Sequence, residues 1–383
     1  MLTYDGKPVR DQFEMADRQI YLRTGNICPG ARSVGQAMRD FLEVWQTGGD
    51  ACWDVAEAAF EEGKLRFADL IGAAPEELAT IENTSMGLSM AAALIAPQPG
   101  SNVVVDELTH QSNVYPWRLR PGVEIRYALA QDGHVPRSEF ERLVDDRTAA
   151  IDVCHVTMAH GFRHDLAALA DLAHAHGGYL VVDAAQSAGV VPIDVARMQV
   201  DFLACPTFKW LLGPLGAGFL YVRQELVDLG PPPLVGWMSA RNPADFDVRG
   251  MELQRDARRL QRGVHNAVGL AGAAAGLRII DQIGVDGIWD HVRGLSRRLI
   301  EGLRGMGVRV LTARDDDQRA GIVSIGVEDA EAFCNELASE RILVGHYLPG
   351  QIRLDVALIL GEQDIDRTLE AVEQAVRATA LRR

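Results

Sequence analysis

Basic charge is scarce in this chain: 38 Lys and Arg against 53 Asp and Glu leave a formal charge of −15 over 383 residues. A surface of that sign repels polyphosphate backbones, so no nucleic-acid partner is expected. Cysteines are few and unpatterned. Cys28, Cys52, Cys154, Cys205 and Cys334 are odd in number and never spaced C-x-x-C, which argues against a disulfide framework or a zinc site and points to a reducing, cytoplasmic compartment. Long hydrophobic runs are missing too. The longest apolar stretch, around Met86 to Ala96, falls short of the ~18 residues needed to span a bilayer. The opening MLTYDGKPVRDQFEMADR lacks the apolar centre of a signal peptide, so no membrane association is expected. Internal repeats and low-complexity tracts are also lacking.

What is present is an ordinary globular composition, 48% apolar and 24% charged. The length exceeds the ~250–300 residues at which a single core stops growing, so two domains are expected: a large one over 15–265 and a smaller one over 266–383, joined by residues 1–14. Between about residues 70 and 225 the runs NVVVDE, VEIRYAL, AAIDVCHV, YLVVDA, DFLACP and GAGFLYV alternate with segments of helical period. Parallel strands need helical crossovers and read as continuous apolar runs, so this pattern predicts an α/β domain with a mostly parallel sheet flanked by helices. One crossover helix is expected between Asp165, a cap, and Gly177, a stop. After 266 the Ala/Leu/Arg-rich helices and short strands predict a smaller α+β domain.

Several residues stand where chemistry is possible. In an open α/β sheet, ligands sit beyond the carboxyl ends of the strands. Asp183 closes the apolar YLVV run there; it either faces that crevice or caps a following helix. Lys209 lies between Phe208 and Trp210, where poor solvation favours the neutral, nucleophilic amine, unless the side chain snorkels to the surface. Thr84 and Ser85 precede a helical run and could hold a phosphate at its N-terminus or simply cap it. His110 follows a strand and suits stacking or proton transfer, or a structural role. Arg353 could fork to a carboxylate, or pair with Asp355 or Asp364.

Taken together, a lysine for a Schiff base, an acid for a pyridinium nitrogen and a phosphate cup are the parts needed for pyridoxal phosphate chemistry. The segment VVDAAQSAGVVPIDV…DFLACPTFKWLLGPLGAGFLYVR, with Asp183 26 positions before Lys209, resembles the class V aminotransferase family. Those enzymes have the fold-type I architecture, and they include cysteine desulfurases, cystine lyases and isopenicillin N epimerase-like proteins. The resemblance implies pyridoxal 5'-phosphate as cofactor, Lys209 as its Schiff-base lysine, Asp183 at the pyridinium nitrogen and Gln186 at the ring oxygen. It further implies His110 stacked over the ring, Thr84 and Ser85 at the phosphate, and Arg353 at the substrate's α-carboxylate. An amino-acid substrate and a homodimer follow from the same resemblance.

The departures from the family pattern are specific. Phe208 replaces the usual histidine before the lysine, and Pro206 a phosphate-binding serine for which Thr207 is expected to compensate. Met158 stands for an asparagine, Val264 for a threonine that in relatives reaches the neighbour's phosphate, and Asp355 for a small hydroxyl residue. RILVGHYLPGQIR, where desulfurases carry a nucleophilic cysteine, contains none, and Cys334 is expected to be a packed thiol. The chain is therefore expected to be an aminotransferase or a C–S lyase of the β-elimination type; an epimerase or a non-catalytic binding protein is the alternative.

Overall fold

The computed structural model describes residues 2–246 and 248–381. Strands β1 (Thr3–Tyr4) and β2 (Lys7–Pro8) form a short hairpin, and β3 (Ile20–Leu22) follows. Helices α1 (Arg32–Gly48) and α2 (Cys52–Ile71) precede the alternating region. That region runs β4 (Leu78–Ile81), α3 (Thr84–Ile95), β5 (Asn102–Asp106), α4 (Gln111–Arg118), β6 (Glu124–Ala128), α5 (Arg137–Leu143), β7 (Thr148–Cys154) and α6 (Leu166–Ala175). It ends with β8 (Tyr179–Asp183), β9 (Phe202–Pro206) and β10 (Gly218–Val222). These strands make one seven-stranded sheet in the order β4-β10-β9-β8-β7-β5-β6. The five from β6 to β9 are parallel and β10 is antiparallel to both its neighbours. The expected α/β fold with a mostly parallel sheet is what the chain adopts. Strands β5, β9 and β10 are buried along their whole length, which explains their unbroken apolar sequences.

The α6 crossover keeps its expected signals. Asp165 Oδ1 accepts from the Ala168 N–H at 3.1 Å, and the chain turns at Gly177 with φ +75°.

The C-terminal part holds α7 (Ala267–Ile283), α8 (Val285–Gly305), β11 (Arg309–Val310), β12 (Ile322–Gly326), α9 (Ala330–Ser339), β13 (Ile342–Val344), β14 (Gln351–Asp355) and α10 (Glu362–Leu381). Strands β11, β12 and β14 form a three-stranded antiparallel sheet. Two elements reach across the expected boundary. Helix α7 packs on α1 and α2, and β3 pairs in parallel with β13. The core accordingly runs continuously from Val9 and Phe13 through the large sheet to Ile352 and Val372. Helix α7 also comes close behind the Lys209 loop: a Cβ at Gly276 would lie 2.5 Å from the Leu211 carbonyl, so only glycine allows this approach. No single helix among the described residues is long and apolar enough to cross a membrane.

Candidate active site

Parallel register places the last residues of β7, β8 and β9 side by side, with Cys154 opposite Asp183 and Asp183 opposite Ala204. Asp183 is 5% exposed. Its Oδ1 accepts from the Ala185 N–H at 2.8 Å, and Oδ2 lies 3.8 Å from Cys154 Sγ. Burial raises its carboxyl above the usual range, and the Lys209 cation opposes that rise. No helix follows Asp183 for it to cap; the chain turns instead.

Lys209 sits just past β9, half-buried, with Nζ 5.7 Å from the centre of the Phe208 ring. Among the described residues no hydrogen bond engages its amine. Burial lowers its ammonium below the usual lysine range; Asp183 works against that shift and Arg353 adds to it. The turn is tied on both sides. Thr207 donates its hydroxyl to the Pro214 and Ala217 carbonyls at 2.6 and 3.1 Å, and the Cys28 N–H binds the Phe208 carbonyl at 2.9 Å. The one proton of Thr207 is thus spent within its own loop, and Pro206 has no N–H. The compensation expected of Thr207 is not visible in these bonds.

His110 is the N-cap of α4: its Nδ1 accepts from the Ser112 N–H at 3.2 Å. A backbone donor at Nδ1 leaves the neutral ring's proton on Nε2. Burial lowers the imidazolium, with Asp183 opposing and Lys209 reinforcing. Ser112 Oγ lies 3.1 Å from the same Nδ1 and 2.7 Å from Ser85 Oγ, joining the start of α3 to His110. Helix α4 itself is pinned by an acid that the sequence reading passed over. Asp152, buried on β7, accepts from Asn113 Nδ2 at 2.7 Å and Trp117 Nε1 at 2.6 Å. The only sequence signal was an acid inside the apolar run AAIDV, where a buried carboxylate must find donors.

At α3 the capping alternative for Thr84 and Ser85 is taken by neither. Asn83 is the N-cap, its Oδ1 accepting from Met86 N at 3.0 Å. Thr84 Oγ1 is buried and has no partner.

Arg353 and Asp355 are two apart on β14 and so share a face of the strand. Arg353 is 4% exposed. Its Nη2 donates to Asp355 Oδ2 at 3.1 Å, and its Nε lies 2.8 Å from Oδ1 without hydrogen-bond alignment. Its Nη1 donates to the Met158 carbonyl at 3.2 Å, and the Tyr347 ring covers it with Cζ 4.2 Å from the centroid. Asp364 pairs elsewhere, with Arg10 at 2.5 Å. Gln186 links the two ends of the site, donating to the Gly25 carbonyl at 2.9 Å and accepting from Trp210 Nε1 at 2.8 Å. The Gly25 N–H binds Asp355 Oδ2 at 2.8 Å, and a Cβ there would meet Gln186, Asp355 and Arg353 atoms at 2.9–3.1 Å. Tyr347 and Gly25 carried no signal that sequence reasoning used.

Val264 lies apart from this cluster. It is 60% exposed and lines an apolar groove with Phe60, Trp45, Trp53 and Trp237. Cys334 is half-buried with Sγ 3.5 Å from His346 Nδ1, and burial raises its thiol. Cys28, pushed up to about 12, and Cys154 and Cys205, pushed well above the usual range, are buried.

Comparison with known proteins identifies the family. A model of the family described as aminotransferase class-V matches residues 29–346. The uncharacterized aminotransferase YcbU of Bacillus subtilis is 31% identical over 313 residues, 82% of this chain and 83% of its own. A probable cysteine desulfurase of Pyrococcus abyssi is 30% identical over 332 residues, 83% of this chain and 82% of its own. The apo cysteine desulfurase of Thermococcus onnurineus NA1 superposes with a TM-score of 0.88 at 27% identity, covering 99% of this chain and 100% of that one. The expected resemblance is borne out: this chain belongs to the class-V aminotransferase family of pyridoxal-phosphate-dependent enzymes.

Proposed function

We propose that the chain cleaves or transaminates an amino acid with Lys209 as the cofactor lysine, and that where a C–S bond breaks it does so by direct β-elimination. The observation that carries this reading is the half-buried Lys209 amine, without a hydrogen bond and with its ammonium destabilised, close enough to buried Asp183 for their charges to interact. The residues fit pyridoxal phosphate: the unpartnered, buried Thr84 hydroxyl at the start of α3 is a ready donor to an anion. Thr84, Ser85 and the first α3 N–H groups would hold the phosphate, Asp183 the ring nitrogen, Gln186 the ring oxygen and His110 the ring face, while Thr207 braces the Lys209 turn. When bound, the cofactor supplies the electron sink for charge developing at the substrate's α-carbon.

The protein's own part is proton handling and orientation. Lys209 in its neutral form takes the α-proton and returns it. Asp183 in its ionised form would keep the ring nitrogen protonated. Arg353 faces the substrate's carboxylate. The thiols that burial keeps protonated are poor sulfur nucleophiles, and the loop before Arg353 has none, which favours elimination over a protein persulfide.

A second copy of the chain covers the Trp45–Trp53–Trp237–Val264 groove in this reading, because exposed apolar patches of this kind mark interfaces. The division into 15–265 and 266–383 with 1–14 is retained as part of the proposal, as is a reducing cytoplasm, which suits five free thiols. Borohydride reduction of the loaded protein followed by peptide mapping tests the site: the label is expected on Lys209, and a label elsewhere removes the assignment. Product analysis with sulfur amino acids tests the reaction. Pyruvate or a keto acid supports it, and alanine with a persulfide on Cys334 or Cys205 overturns it.

A further inference from the structure

The arginine expected to read a substrate carboxylate already has one. Of its five N–H donors, one on Nη2 goes to Asp355 and one on Nη1 to the Met158 carbonyl, while Nε lies 2.8 Å from Asp355 Oδ1 as an ion pair without hydrogen-bond alignment. The Nε/Nη2 edge, a favoured edge for a side-on carboxylate pair, is therefore occupied by Asp355. Tyr347 lies on the guanidinium. What remains for a ligand is one N–H on each terminal nitrogen, because Asp355 Oδ1 blocks the approach to the unbonded Nε–H. Asp355 has a second anchor besides Arg353, because the Gly25 N–H donates to Oδ2 at 2.8 Å, and Gly25 lies so close that a Cβ there would touch both side chains. The pair is buried, at 4% and 0% exposure, so water does not screen the competition.

We propose that Asp355 is a specificity-determining residue that competes with the substrate's α-carboxylate for Arg353, so that affinity comes chiefly from groups beyond that carboxylate. The substrate class is then an amino acid with an extended side chain, recognised as a whole molecule. Small amino acids, which offer little besides the carboxylate, bind weakly. This inference rests on the proposed function.

The test uses two ligands that differ only in the carboxylate. 2-Methylalanine has no α-proton to lose, and tert-butylamine is the same skeleton with a methyl in place of the carboxylate and equally none. Both are titrated calorimetrically into the cofactor-loaded wild-type and Asp355→Asn proteins; the asparagine keeps an acceptor for the Gly25 N–H but drops the charge. Wild type is expected to prefer 2-methylalanine by less than about tenfold, below the discrimination of a free charged fork. Asp355→Asn is expected to tighten 2-methylalanine by about tenfold and to leave tert-butylamine within about twofold. A wild-type preference of about tenfold or more, or a variant that tightens neither ligand or both equally, overturns the proposal. Should the variant fail to fold, the wild-type ratio decides alone. A protein with no visible absorption from bound pyridoxal phosphate and no heat from either ligand fails the proposed function and this inference with it. A large ratio in a visibly loaded protein fails this inference alone.

Discussion

Thr84 holds a buried hydroxyl with nothing to bond, an arrangement that costs about 1–3 kcal/mol unless a ligand supplies the partner. Thr84→Val is therefore expected to act with opposite signs. Thermal unfolding of the cofactor-free protein should move up, since an uncompensated polar group has been removed, whereas cofactor retention should weaken by roughly tenfold. A valine that lowers the cofactor-free midpoint would remove Thr84 from the phosphate site. Lys209 makes a pH prediction. Burial favours its neutral amine, so capture of pyridoxal phosphate should rise with pH about a midpoint below the ~10.4 of free lysine. Asp183 pulls that midpoint up, so Asp183→Asn should move it further down; stopped-flow capture rates across pH measure both. Lys209→Ala should abolish turnover and leave the circular dichroism spectrum unchanged, as the proposed role with the cofactor rather than in the core requires. These side chains were readable beforehand as types at positions, for an acid at a strand end and a lysine among aromatics have few uses. Their bonding was not. Thr207 reads as a donor, yet it gives its proton to Pro214 and Ala217, because a turn's carbonyls must be satisfied before a ligand's oxygens.

Helix α4 shows how a buried acid holds an element of the candidate site in place. His110 caps it, and Asn113 and Trp117 anchor it to Asp152 in the middle of the sheet. Asp152→Ala would strand two buried donors, so unfolding in urea is expected to be easier by about 2–4 kcal/mol. The tautomer of His110 depends on the same cap, so the variant's pH–rate profile should also lose its histidine limb if α4 loosens. An undisturbed stability would show that water satisfies both donors. The crossover helices and apolar strands followed from periodicity, since each element's pattern is local. The α4 anchor did not, because Asp152 lies 35 residues from Trp117 in sequence and only the folded sheet brings them together. The antiparallel β10 was invisible for a similar reason: buried on both faces, it reads like its parallel neighbours.

At the scale of the molecule, the groove around Trp45, Trp53 and Val264 is expected to be an interface, and a Trp45→Glu, Trp53→Glu double variant should halve the mass seen by light scattering. A wild-type monomer with full activity at nanomolar dilution would refute that. A mostly parallel sheet flanked by helices was legible from alternation alone, whereas the embrace of the N-terminal strand by the C-terminal part was not, for β3 and β13 are three residues each and lie more than 300 positions apart. That pairing has a consequence for how the protein is made. The loop carrying Gly25 and Cys28 clasps Asp355, Gln186 and the Lys209 turn, but its supporting strand has no neighbour until Val344 leaves the ribosome. At ~5–20 residues per second that is a wait of roughly 15–65 s. During synthesis the large sheet can assemble ahead of it, but the clasp of this loop on Asp355 closes only at the end, so a nascent chain stalled before residue 342 should be protease-sensitive at its beginning rather than at its growing end.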